Sequence, residues 1–94
     1  MDNAMGVNRE RDVRKRVAEL WCEALNVAAV SDTDDFFALG GHSLVALNVI
    51  ASVEEEYGIE LDGMRDIWEH PTFAEFTSLV VTRISARATP SDAA

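Results

Sequence analysis

Between Glu10 and Leu25, apolar residues fall at Val13, Val17, Leu20, Trp21, Ala24 and Leu25, the three-and-four spacing of one helical face. This predicts a first helix. The stretch 26–42 loses that period and carries Ser31-Asp32-Thr33-Asp34-Asp35, then Phe36-Phe37, then Gly40-Gly41, so it reads as a long loop with local caps and turns. A loop of that length inside a compact domain is usually functional or pinned. Phe36 and Phe37 are the expected pins, because an aromatic pair in a polar loop gains most by inserting between helices. Helical spacing returns from Ser43 to about Tyr57 through Leu44, Leu47, Ile50, Ala51 and Val53, with Gly58 as the stop signal. A brief third helix fits Asp62 to Glu69, with Met64, Ile67 and Trp68 on one side and Pro71 blocking its extension. Thr72 followed by Glu75 is a capping box, and Phe73, Phe76, Val80 and Ile84 then give a fourth helix its apolar face to about Arg87.

The pattern predicts an all-α fold, a small four-helix bundle with a long first loop and a short third helix. The expected domain covers residues 9–87. Residues 1–8 have no apolar period, with Met5 a candidate start, and residues 88–94 read as a frayed tail; both are expected to be disordered. The short flanks also give the expectation of a free-standing protein. Apolar residues are 48% of the 94-residue chain, which is ordinary for a globular protein, so the core is not thinned to accommodate charge.

Charge changes the picture of what the domain meets. The net charge is −9, and its placement is uneven: residues 1–20 hold five basic and four acidic residues, whereas 21–79 hold twelve acidic residues and a single basic one, Arg65. Such a field repels nucleic-acid phosphates and anionic lipid and favours a protein partner presenting Lys or Arg. A chain this short has little room for a deep enclosed active site, which argues against an autonomous enzyme. Cys22 is the only cysteine, so no internal disulfide can form, and its helical setting predicts a buried free thiol. No apolar run approaches membrane-span length and no secretory signal is visible, so a cytoplasmic location is expected.

The chemistry concentrates in Asp35-Phe36-Phe37-Ala38-Leu39-Gly40-Gly41-His42-Ser43-Leu44, which ends the loop and opens the second helix. Paired glycines allow a tight turn and keep side chains away from an approaching group. Ser43 then stands at a helix N-terminus, where free N–H groups and the positive dipole end stabilise a phosphate on its hydroxyl. A nucleophilic role fits poorly, since the adjacent His42 points away from Ser43 on either a helix or a strand. By composition alone the segment is also an ordinary turn and N-cap.

Other site chemistries fail on spacing. Gly41-His42-Ser43-Leu44-Val45 misses the last glycine of a hydrolase elbow and lacks the preceding strand. A calcium loop from Asp32 would need ligands or glycine where Phe36, Phe37 and Ser43 stand. Cys22, His42 and His70 have no metal-ligand spacing, and no metal is expected. Glu54-Glu55-Glu56 reads as a solvated face rather than a docking patch.

The run DDFFALGGHSL, with GIEL after the second helix and the His70-Pro71-Thr72-Phe73 junction, resembles the acyl-carrier-protein-like family, specifically the peptidyl carrier proteins of nonribosomal peptide synthesis. The resemblance covers roughly Val13 to Ile84. It implies an acyl-carrier type of four-helix bundle in which Ser43, flanked by Gly41 and His42, receives 4′-phosphopantetheine from coenzyme A through a phosphopantetheinyl transferase. The arm would carry an aminoacyl thioester loaded by an adenylation enzyme and present it to a condensation or tailoring enzyme. The protein itself would catalyse nothing and would act as a monomer. Gly-Gly-His-Ser is typical of peptidyl carriers, whereas fatty-acid and many polyketide carriers show an acidic residue before the serine. A polyketide-type carrier is the alternative within the class, and an acidic helical adaptor without covalent modification is the alternative outside it. Leu44, Leu47 and Met64 are the candidate partner contacts, with core packing the other reading of each.

Overall fold

The computed structural model describes residues 2–88 of the backbone and the side chains of 9–86. Four helices follow one another: α1 Asp2–Leu25, α2 Ser43–Tyr57, α3 Met64–Glu69 and α4 Phe73–Ala88. Among the described residues no strand forms; the one β-bridge pairs Asp35 with Thr72. The helix stop and start signals act where the sequence places them. Gly58 adopts the left-handed conformation (φ 64°) and its N–H closes α2 on the Glu54 carbonyl. Thr72 and Glu75 make the reciprocal bonds of the capping box: the Thr72 N–H donates to Glu75 Oε1, and the Glu75 N–H to Thr72 Oγ1. Asn26 (φ 58°) ends α1, a role its short polar side chain allows.

Two helix bounds differ from expectation. Helix α1 spans Asp2–Leu25, whereas the apolar pattern placed its start near Glu10. An apolar stripe marks only the part of a helix that packs on something, and backbone hydrogen bonding continues past it. Helix α3 starts at Met64, two residues later than Asp62, because Gly63 (φ 58°) turns the chain there. Residues 89–94, most of the expected tail, lie outside the described residues.

Helix α1 runs antiparallel to both α2 and α4. Arg16 reaches Glu56 at the end of α2 with two 2.9 Å bonds from Nε, while Trp21 meets Phe73 and Phe76 at the start of α4. The core is Val13, Val17, Leu20 and Trp21 from α1, Ala46, Val49, Ile50 and Val53 from α2, Ile67 from α3, and Phe73, Phe76, Val80 and Ile84 from α4, with Phe36 and Ile59 from the loops. Trp21 is its hub, edge-on to Phe36 (5.0 Å) and Phe73 (5.3 Å). Such pairs contribute about 0.5–1.5 kcal/mol beyond area burial. Its Nε1–H is buried without a hydrogen-bond partner, a cost the surrounding apolar burial offsets.

The α2 face is rotated from the one the pattern suggested. Ala46, Val49, Ile50 and Val53 are buried, whereas Leu44, Leu47 and Ala51 are exposed. Cys22 is half-buried rather than buried. On α3, Ile67 is fully buried and Met64 half-buried against the core, but Trp68 faces solvent.

Candidate functional site

The loop that leads to Ser43 is built from the inside out. Asp35 starts it with an Asx turn, its Oδ1 accepting the Phe37 N–H (2.8 Å) and the Ala38 N–H (3.0 Å). That turn drives Phe36 inward to 0% exposure against Trp21 of α1. The Phe36 and Phe37 carbonyls then receive the N–H groups of Gly41 (3.0 Å) and Gly40 (3.1 Å). Gly40 takes φ 103°, a conformation that side-chain-bearing residues rarely adopt.

Gly41 answers a different demand. A Cβ there would lie 2.2 Å from Phe36 Cε2 and 2.8 Å from the Phe36 carbonyl oxygen, so the backbone rests directly on the buried ring. Gly41→Ala should therefore cost about 1–3 kcal/mol through overpacking, because a fully buried ring and a backbone oxygen have nowhere to move. Chemical denaturation of the two proteins measures it; an alanine variant as stable as the wild type would mean the loop yields freely.

His42 is the N-cap of α2, with extended backbone (φ −136°, ψ 179°) and no side-chain cap bond; its carbonyl takes the first intrahelical N–H, from Ala46 at 2.8 Å. Ser43 is thus the first helical residue. The N–H groups of Ser43, Leu44 and Val45 precede the ladder and form the positive end of the helix. His42, Ser43 and Leu44 are all exposed, and the first turn of α2 holds no acidic residue. An anionic group on the Ser43 oxygen meets free N–H donors there and no opposing carboxylate in that turn. A phosphodiester fits that position, and the open surroundings leave room for a long arm beyond it.

The structure gathers Gly41, His42, Ser43, Leu44 and Leu47 at the head of α2, Leu44 being 65% and Leu47 45% exposed. Met64 is placed on α3, packed against the core. Among the described residues no cluster of His, Cys, Asp and Glu could hold a metal ion, and no helix is long and apolar enough to cross a membrane. Sequence reasoning missed Asp35 and Pro71, which hold the loop, and grouped Trp68 with the core. Asp35 was findable, since an Asp two residues before an aromatic pin is an Asx-turn signal; the Pro71 carbonyl that receives the Phe36 N–H at 2.8 Å had no signature.

A four-helix bundle presenting a serine at the head of its second helix on a glycine-supported turn defines a carrier domain. The chain belongs to the family described as phosphopantetheine attachment site, whose model matches residues 15–80, and it is of the peptidyl carrier type. It is 43% identical over 65 residues to tyrocidine synthase 3 of Brevibacillus parabrevis, a match spanning 69% of this chain and 1% of that protein. It is 32% identical over 68 residues to surfactin synthase subunit 1 of Bacillus subtilis, covering 72% of the chain and 2% of the relative. These curated relatives are therefore far longer than the chain. Among solved structures, BlmI, a type-II acyl-carrier-protein from Streptomyces verticillus involved in bleomycin biosynthesis, superposes with a TM-score of 0.73 at 35% identity, covering 80% of this chain and 89% of that one. A peptidyl carrier protein solved with the phosphopantetheine transferase Sfp and coenzyme A gives 0.71 at 37% identity, over 76% and 91% of the respective chains.

Proposed function

We propose that Ser43 is the residue that takes 4′-phosphopantetheine, and that the domain carries an aminoacyl group on that arm between an adenylation enzyme and a condensation or tailoring enzyme in the cytoplasm. The observation that carries the reading is the exposed Ser43 at the head of α2, held by a turn whose every strut is internal. In the transfer, an Oγ–phosphorus bond replaces the phosphate–phosphate bond of coenzyme A. The adenosine bisphosphate half leaves, and the hydroxyl proton passes to a base on the transferase. Once attached, the arm supplies a thiol that holds the cargo as a thioester.

The chain's own residues supply position and access, not catalysis. Gly40 keeps the exposed turn before Ser43 free of a side chain, Gly41 lets the backbone rest on the Phe36 ring, and the α2 N-terminus stabilises the phosphodiester. Leu44 and Leu47 offer apolar surface beside the attachment point, and Met64, a flexible thioether at the head of α3, suits contact with several partners in turn. The net charge of −9 steers encounter with a basic enzyme surface.

Incubation with coenzyme A and a broad-specificity phosphopantetheinyl transferase should add one phosphopantetheine to the intact mass. The holo protein should then accept an amino acid from an adenylation enzyme in preference to an acyl group from acyl-coenzyme A and an acyltransferase. A wild-type chain that stays unmodified would sink the carrier reading, and preferential acyl loading would move it to the polyketide type.

A further inference from the structure

Trp68 is the exposed large aromatic of the described residues, 62% accessible on a six-residue helix where burial would normally be sought. It does not stand free. Its indole stacks on Phe37 with ring centroids 4.7 Å apart and planes 23° from parallel. Phe37 in turn packs edge-on against Phe36 (5.5 Å, 83°), and Phe36 edge-on against the Trp21 hub (5.0 Å, 75°). A continuous file of four rings thus runs from the centre of the core to the surface of α3.

The middle rings of that file belong to the residues whose carbonyls hold Gly40 and Gly41. Phe36 is locked by burial, but Phe37 is only half-buried, and the indole supplies a cover that the rest of the core does not. The helix that carries Trp68 is itself fixed. Ile67 is fully buried, and the buried Asp66 carboxylate accepts the Asp62 N–H (2.6 Å) and pairs with Arg83 from α4 (3.4 Å). Arg83 also donates to the Glu60 carbonyl at 3.0 Å. A side chain on so anchored a helix acts as a buttress.

We infer that Trp68 is a positioning residue for the modification of Ser43: stacked on Phe37, it holds the turn whose carbonyls bind Gly40 and Gly41 and so fixes how Ser43 is presented. This rests on the reading of Ser43 as the attachment serine. Its structural half stands independently, because the link from Trp68 to the glycine amides exists in the unmodified protein.

Amide hydrogen exchange and transferase kinetics test it together. In Trp68→Ala the Gly40 and Gly41 amides should exchange about two- to tenfold faster, the range expected for loss of one aromatic pair, while α4 amides stay protected. With coenzyme A and the transferase, kcat should fall by a similar factor with KM held. Trp68→Phe, which keeps a ring on Phe37, should restore both readouts. Unchanged Gly40 and Gly41 exchange in the alanine variant would overturn the inference, as would a rise in KM alone, which would make the indole a docking contact. Failure of the wild type to be modified would overturn the function proposed above and the role in modification with it. The exchange data would still decide whether Trp68 holds the turn.

Discussion

A Ser43→Ala variant should acquire no phosphopantetheine and melt with the wild type. The two halves of that expectation have separate causes. Modification needs an alcohol oxygen at the head of α2, and alanine has none. Among the described hydroxyls, Thr72 is committed to the capping box and Thr77 is buried and donates to the Phe73 carbonyl, while the exposed Ser78 and Thr82 lie along α4 away from any helix head. Stability should hold because the Ser43 hydroxyl caps nothing. The N-cap is His42, no side-chain cap bond is made there, and Ser43 is exposed. Alanine is at least as good as serine inside a helix, so the change should lie within about 0.5 kcal/mol. Intact mass after incubation and a thermal melt read the two quantities. An alanine variant that still gains the mass would place the attachment elsewhere; one that melts much lower would mean the hydroxyl has a structural bond in solution.

Phe36→Ala should be the most destabilising single change in the loop, by about 3–5 kcal/mol. The ring is fully buried, touches Trp21 edge-on, supports Phe37, and carries the backbone of Gly41 on its surface. Against the total of about 5–15 kcal/mol typical of small domains, the loss leaves a marginal fold. For a chain of this size the melting temperature should drop by roughly 12–40 °C. Urea unfolding checks the mechanism: the midpoint should fall with little change in slope, since the native surface is nearly the same. A loss below about 1 kcal/mol would show that the core closes over the gap, contrary to a ring packed on three sides. Phe36→Leu, which refills part of the volume, should recover much of the stability yet leave Gly41 without its flat seat. Modification of Ser43 should remain slowed in that variant at temperatures where it is fully folded.

The readability of this protein from its sequence varied from one element to the next, for physical reasons. Helix α4 was legible: Phe73, Phe76, Val80 and Ile84 are all buried, and the other large apolar residues among them, Leu79 and Val81, flank that face and are half-buried. Helix α2 was legible in extent and not in orientation. Ser43 to Val53 is apolar nearly all round, so a 3.6-residue period cannot choose between the stripe through Leu44, Leu47 and Ala51 and the one through Ala46, Val49 and Val53. Tertiary packing chooses, since α1 and α3 both press on the second stripe, and the first is left in water beside Ser43. The same ambiguity hid Trp68, whose size suggested the core. The long loop was read as pinned by Phe36 and Phe37, and both pin it, but one does so by burial and the other by stacking on a surface ring. The backbone seams that close the loop left no trace in residue types, because any residue offers the same N–H and C=O.

Those seams have a bearing on when the protein becomes usable. The loop is stitched to the α3–α4 junction by the Phe36 N–H on the Pro71 carbonyl, the Phe73 N–H on the Asp34 carbonyl and the Ala74 N–H on the Asp32 carbonyl. Each partner is made long after the loop it closes. On a ribosome adding about 5–20 residues per second, Ala74 is added a few seconds after Ser43. During that interval the turn under Gly40 and Gly41 has no second edge. Closure of the loop therefore waits on the α3–α4 junction, and with Ser43 as the attachment serine proposed above, a transferase that needs the finished turn would act only on a domain that has closed on itself.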